Sequence, residues 1–351
     1  MNQISEPGLE LEKFRHLWNL VGNTPMIEIC YEYKEKRRKV YAKLEHYNLT
    51  GSIKDRMALY ILQKAYEHHT IKPEAIIVEA TSGNTGIAFS AIGKALGHTV
   101  KIIMPEWLSK ERKDIIRSLG ADIILMTKEQ GGFLGSIALS QNMARENPDC
   151  FLPEQFKNKY NAEAHEKTTA PEIWTQLASI GKKPDGFVAG VGTGGTIMGM
   201  NNYFKKRVPG IKVHPLEPAE SPTLSTGYKV GSHRIQGISD EFIPEIVKLD
   251  QLEEVIKVSD GDSILMAQKI ADHLGLALGI SSGANLIGAI LVQEQLGPDS
   301  VVVTVFSDSN KKYLSTDLVK TEPCHDEYIS SCVNFLGFKG IPKTDLRFWE
   351  E

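Results

Sequence analysis

An α/β protein built on parallel sheets is predicted, and three observations predict it. Short β-branched runs recur along the 351 residues, and amphipathic stretches separate them. The runs are almost continuously apolar, as in strands covered by helices on both faces. In chain order, KVYAKLE (39–45) reads as a strand and SIKDRMALYILQKAYEH after it as a helix. AIIVEA (75–80) is a strand that runs through TSGNTG into a helical IAFSAIGKALG. HTVKIIMP (98–105) is a strand, KERKDIIRSLG a helix ending at Gly120, and ADIILM (121–126) another strand. GFVAGVG (186–192), IKVHPLE (211–217), LALGIS (276–281) and VVVTVFS (301–307) repeat the strand theme. The segment 147–168 is richest in helix and strand breakers and is expected to carry a domain crossing. Residues 322–351 lose the alternation and read as a surface tail packed on their own subunit or on a partner.

A formal charge of −4 argues against a general nucleic-acid surface, which needs a basic stripe. No apolar run reaches the roughly 20 residues that span a bilayer. The first residues lack a basic start followed by an apolar stretch, so no secretory signal is expected. Cys30, Cys150, Cys324 and Cys332 are scattered, with no zinc-ligand spacing, and read as free thiols of a reducing cytoplasm; no metal site is expected.

Three motifs sit at strand ends, where open parallel sheets bind ligands. VGTGGT (191–196) precedes a helix and offers bare backbone N–H groups at a helix start, a cup for a phosphate. It also satisfies G-x-G-x-x-G through Gly190, Gly192 and Gly195, with Glu217 near the offset of a ribose-binding acid, so a dinucleotide-dependent dehydrogenase is a rival reading. TSGNTG (81–86) offers N–H groups and hydroxyls at a second helix start, suited to a carboxylate. A second anion cup fits an enzyme that binds an amino acid beside a phosphorylated cofactor. GISSGAN (279–285) fits G-x-S-x-G, with Asp308 and His325 following in hydrolase order. That reading is weakened because His325 lies in the irregular tail and no HGG oxyanion motif stands upstream. Lys54, after a Gly-Ser turn, is by itself indistinguishable from a surface charge.

Taken together, VGNTPMIEI (21–29), KLEHYNLTGSIKDR (43–56), EATSGNTGIA (79–88), MPEWLSKERKDIIRSLGA (104–121), LPEQF (152–156), EAHEKTTAPEIW (163–174), GVGTGGTIMG (190–199), IQGISDEFIP (235–244), GISSGA (279–284) and NKKYLSTDL (310–318) closely resemble the cysteine synthase and cystathionine β-synthase family. The resemblance runs in order from about residue 18 to 320. It implies the tryptophan synthase β-like fold of type II pyridoxal-phosphate enzymes, with two doubly wound, parallel-sheet domains. Residues 1–46 and 159–320 would form the large cofactor-binding domain, 47–158 the small mobile substrate domain, and 321–351 a C-terminal extension.

By the same resemblance Lys54 is the Schiff-base lysine for pyridoxal 5'-phosphate. Asn84 would bond the cofactor's 3-hydroxyl, Gly192, Thr193, Gly194, Gly195 and Thr196 its phosphate, and Ser281 its pyridine nitrogen. Thr81, Ser82, Gly83, Thr85, Gln155 and Gly237 would hold the substrate, chiefly by its carboxylate. A hydroxyl rather than an acid opposite the ring nitrogen leaves the pyridine a weak electron sink, which suits β-elimination better than transamination. Lys54, once displaced, is the base for the α-proton. The implied reaction is β-replacement at a serine- or cysteine-like amino acid, foremost cysteine synthesis from O-acetylserine and sulfide. The alternatives are a cystathionine β-synthase-like reaction, or one that consumes cysteine and releases sulfide.

Two stretches depart from the family pattern. The usual Gly-Ile-Gly-Ala-Gly turn is here Gly237, Ile238, Ser239, Asp240 and Glu241, and the last three are specificity candidates. Ser307 and Asp308 replace the usual Pro-Ser. Haem and adenosylmethionine control are not expected. The family implies a homodimer and a possible serine acetyltransferase partner, the latter disfavoured by the altered turn. A non-catalytic scaffold of the same fold is the remaining alternative.

Overall fold

A computed structural model describes residues 7–239 and 241–343. Helix α1 (Pro7–Trp18) leads into a hairpin of β1 (Met26–Tyr33) and β2 (Lys36–Leu44), then α2 (Lys54–Glu67). There follow β3 (Ile76–Ala80), α3 (Asn84–Leu96), β4 (Thr99–Pro105), α4 (Lys110–Ser118), β5 (Asp122–Met126), α5 (Gly132–Glu146) and β6 (Cys150–Phe151). Next come α6 (Lys159–Ala164), a π-helical turn at His165–Thr169, α7 (Ala170–Ser179), β7 (Gly186–Gly190), α8 (Gly195–Arg207), β8 (Lys212–Pro218) and the short α9 (Thr223–Thr226). The chain closes with β9 (Ile256–Val258), α10 (Asp260–Leu274), α11 (Ile280–Leu296), β10 (Val302–Phe306), α12 (Ile329–Cys332) and β11 (Asn334–Ile341).

Two sheets result. One has seven strands in the order β11-β1-β2-β10-β7-β8-β9, and the other has four in the order β5-β4-β3-β6. The smaller sheet is parallel throughout. In the larger, β2-β10-β7-β8-β9 is parallel, while β1 pairs antiparallel with both β2 and β11. Strand β10, VVTVF, explains its own central place. Val302 and Phe306 pack into one apolar cluster with α10 and α11, while Val303 and Val305 pack into another with α7 and α8. A strand apolar on both faces is stable only between two helical layers.

Two readings of the sequence are corrected. LALGIS (276–281) is not a strand: Leu278 makes one isolated bridge to Ser309, and α11 has begun by Ile280. Gly275 ends α10 in the left-handed conformation, which leaves too few residues for a strand before the next helix. The irregular tail contains a strand, since β11 extends the sheet alongside β1 with a bulge at Cys30/Tyr31. Among the described residues no helix is long and apolar enough to cross a membrane.

A buried charged cluster ties the two sheets' elements together. Arg56, in the first turn of α2, reaches Glu45 at 2.6 Å and Glu172 of α7 at 2.7 Å, and Lys43 of β2 reaches Glu172 at 2.7 Å. All four side chains are fully buried, and two positive charges face two negative ones. Such a cluster holds its helices in one register, because any shift leaves a charge unpaired away from water.

Candidate active site

Four helices begin around one cleft: α2 at Lys54, α3 at Asn84, α8 at Gly195 and α11 at Ile280. A helix start carries N–H groups without intrahelical partners and the positive end of the helix dipole, so the convergence of four starts favours anions. The cleft opens to solvent. Its walls come from the carboxyl ends of β3, β7 and β10, as expected of open parallel sheets.

Lys54 lines this cleft together with Thr81, Ser82, Asn84, Thr85, Gln155, Gly192, Thr193, Thr196, Gly237 and Ser281. The chain before Lys54 is fixed from several sides. Gly51 takes φ +80° to turn the loop, Thr50 N donates to Asp55 at 2.6 Å, and Ile53 N donates to Ser307 O at 2.9 Å. Burial pushes the Asp55 carboxyl up to about 6, and the bonds from Thr50 oppose that rise.

The 192–196 turn is shaped by what its glycines leave open. A Cβ on Gly192 would collide with the Gly237 carbonyl, and one on Gly195 with the Asn161 amide. Gly194 takes φ +86°, which side chains resist. Thr193 accepts from Asn161 Nδ2 at 2.9 Å and Thr196 pairs with His165 Nε2 at 3.3 Å. Burial, then the charge of Arg56, pushes His165 down to about 3, so this imidazole is neutral at pH 7. Asn84 Oδ1 is buried without a partner. A bare N–H cradle at a helix start and an unpaired amide oxygen in one cleft fit a phosphorylated aromatic cofactor.

At the α3 start, Thr85 donates its hydroxyl to Gln155 Oε1 at 2.6 Å, and Gln155 Nε2 donates to Ala80 O at 2.8 Å. The Thr85 hydroxyl hydrogen is therefore spent on Gln155, leaving its backbone N–H for a carboxylate. Gly83 lies in this turn against Arg112, where a Cβ would come within 2.7 Å of the guanidinium stem.

The specificity candidates are placed differently. The turn's cleft wall is Gln236, Gly237 and Ile238. Ser239 takes φ +52° where the family pattern has glycine, and its hydroxyl donates to Ser221 O at 2.8 Å. Glu241 pairs with Lys229 at 2.7 Å. Asp240 lies outside the described residues.

Both rival motifs come apart. Glu217 accepts from Leu224 N at 2.7 Å and Ser225 Oγ at 2.5 Å, so it caps α9 rather than awaiting a ribose. Asp308 is engaged by Asn84 and Tyr313, while His325 is exposed with its ring against Tyr328, so no Ser-Asp-His chain forms.

Arg112 of α4 went unnoticed in the sequence. It is 2 % exposed, lines the cleft, lies 4.8 Å over the Tyr313 ring and bonds Gln236 Oε1. The available signal was its spacing of four from buried Ile116, which puts a cation on the inner face of α4.

A family model described as "Pyridoxal-phosphate dependent enzyme" matches residues 17–308. A probable cysteine synthase of Bacillus subtilis (strain 168) is 41% identical over 300 residues, which is 86% of this chain and 96% of that one. Among solved structures, a hydrogen sulfide-producing enzyme from Fusobacterium nucleatum is 56% identical with a TM-score of 0.93, covering 95% of this chain and 99% of the other. A cysteine synthase from Entamoeba histolytica is 33% identical with a TM-score of 0.81, covering 95% and 97%. With the cleft's chemistry, these matches make the chain a member of the pyridoxal-phosphate dependent enzyme family, in its cysteine synthase group.

Proposed function

We propose that the chain replaces the β-substituent of a serine- or cysteine-like amino acid, with cysteine synthesis from O-acetylserine and sulfide as the leading reaction. The observation that carries this reading is the convergence of the α3 and α8 starts on one cleft that also holds Lys54. A phosphorylated cofactor and an amino-acid substrate present two separate anions, and two helix starts match them. Gly192 to Thr196 would hold the phosphate, Asn84 the ring oxygen and Ser281 the ring nitrogen. Thr81, Ser82, Gly83, Thr85, Gln155 and Gly237 would hold the substrate. When bound, pyridoxal phosphate supplies the electron sink for breaking the bond to the α-hydrogen.

The chain's own residues do the remaining work. The Lys54 amine anchors the cofactor and then carries the α-proton. The N–H groups at the α3 start orient the substrate carboxylate, and Ile53, Phe156, Ile238 and Val305 add apolar side chains to an otherwise polar wall. Gly195→Ala is expected to weaken cofactor uptake at least about tenfold, because the new methyl needs space that Asn161 fills. A titration with pyridoxal phosphate followed by visible absorbance measures it.

A second reading is favoured by the 56% identity to a hydrogen sulfide-producing enzyme. Here cysteine is the donor and sulfide leaves. The two readings share one site, since releasing sulfide from cysteine reverses the bond-forming half of cysteine synthesis. Steady-state assays with O-acetylserine plus sulfide, with cysteine alone, and with cysteine plus homocysteine separate them. Cysteine formation as the fastest turnover supports the first reading, and sulfide release tenfold faster moves the assignment to the second. No turnover with any pair removes both.

The four-stranded sheet, whose strands lie within residues 76–151, supports a small substrate domain of residues 47–158 set into a large domain of 1–46 and 159–320. A homodimer in the cytoplasm is the assembly and location proposed with this function. Gel filtration and a pull-down with serine acetyltransferase test the partners.

A further inference from the structure

Asp308 is a fully buried acid two residues after the end of β10, at a position where the family pattern has serine. Its backbone is held on two sides, by an isolated bridge to Ser52 and by the Gly279 N–H, which donates to its carbonyl at 3.1 Å. Oδ2 accepts from Asn84 Nδ2 at 2.7 Å and from the Tyr313 hydroxyl at 2.6 Å. Oδ1 is buried without a partner. Room for the carboxylate comes from Gly279, where a Cβ would run into Oδ1 and come within 2.8 Å of the Tyr313 ring. Tyr313 is itself braced by Arg112.

An amide side chain can sit either way round unless a neighbour decides. A carboxylate only accepts, so it pairs with the nitrogen end. We propose that Asp308 is the positioning residue for Asn84: it fixes the amide with Nδ2 turned to itself, leaving Oδ1 and the second amide hydrogen for the ligand in the cleft. A serine hydroxyl, which can donate as well as accept, would not impose this choice. The inference rests on the assignment of Asn84 as a cofactor contact.

The test is a double-mutant cycle on cofactor affinity, read by visible absorbance as the full chain is titrated with pyridoxal phosphate, so that turnover plays no part. Asp308→Ala is expected to weaken affinity about tenfold, equivalent to about 1.4 kcal/mol. Asp308→Asn keeps the shape but can donate as well as accept, so it no longer imposes the choice and is expected to weaken affinity by at least about threefold. In an Asn84→Ala background, Asp308→Ala is expected to add less than about twofold, because the group it positions is gone. Should Asp308→Ala not fold, Asp308→Ser takes its place in the same cycle.

Equal losses in both backgrounds overturn the proposal, as do an affinity unchanged by Asp308→Ala and an Asp308→Asn affinity equal to that of the unaltered chain. If the unaltered chain takes up no cofactor, the functional reading falls and this one with it. Normal uptake with additive losses removes only the role of Asp308.

Discussion

Lys54→Ala is expected to abolish the visible absorption of the cofactor-loaded protein and to lower turnover by at least about 10³-fold, the scale of losing a positioned proton carrier. The amine does two jobs in the proposed reaction, anchoring the cofactor aldehyde and then moving the α-proton, and alanine does neither. The loss should be local. The loop ahead of α2 is held by Asp55 with Thr50, by Ile53 with Ser307, and by the Ser52 bridge to Asp308, all at neighbouring positions. Lys54→Arg is the informative companion. It keeps a positive charge in the cleft, yet a guanidinium does not surrender its proton near neutral pH, so it should be nearly as inactive. Equal visible absorption and turnover in Lys54→Ala and the unaltered chain would end the assignment, because no other lysine lines this cleft among the described residues.

Much of this architecture was legible because it rests on local patterns. Apolar runs such as AIIVEA and VVVTVFS became β3 and β10 within a residue or two, since a strand between two helical layers must be apolar on both faces. The three glycine- and hydroxyl-rich turns came together because each leads into a helix that starts at the same cleft, two of them directly after β3 and β7. What escaped was non-local. NFLGFKGI gave no strand signal, with glycines at 337 and 340 diluting it, and β11 exists because β1 offers it an edge. LALGIS looked like a strand until the two flanking helices claimed its ends. Arg112, Asp308 and the Arg56 cluster are charges that composition places on the surface. Only the fold shows that each is buried, because their partners lie far away in sequence: Gln236 for Arg112, Asn84 for Asp308, Glu172 for Arg56. The turn at 237–241 shows the reverse case. Its acids suggested altered chemistry, yet Glu241 turns to Lys229 and the cleft wall is built by the three residues ahead of Ser239.

Glu172→Gln should cost about 3–5 kcal/mol of unfolding free energy, the scale for breaking a buried ion pair from one side. The carboxylate takes Arg56 through both oxygens, at 2.7 and 2.8 Å, Lys43 at 2.7 Å and the Asn23 N–H at 2.8 Å. Glutamine keeps the shape but removes the charge, leaving two buried cations to share Glu45, and its amide must turn a donor toward one of them. Denaturant unfolding of the two proteins measures the difference. The dependence on pH supplies an independent check. Burial pushes the Glu172 carboxyl up, but Arg56 and Lys43 more than offset it and hold it near about 2, below its ordinary 4.5. A group depressed in the folded state stabilises it above the unfolded value, and that stability drains as pH falls through the folded one. The unaltered chain should therefore lose stability between about pH 4.5 and 2, and Glu172→Gln should lose less over the same window. Parallel curves would mean that this carboxylate is not what couples the fold to acid. Because Arg56 sits in the same first turn of α2 as Lys54, the substitution should also lower turnover well before the protein unfolds. The buried cluster thus fixes the position of the reactive amine, although none of its members lines the cleft.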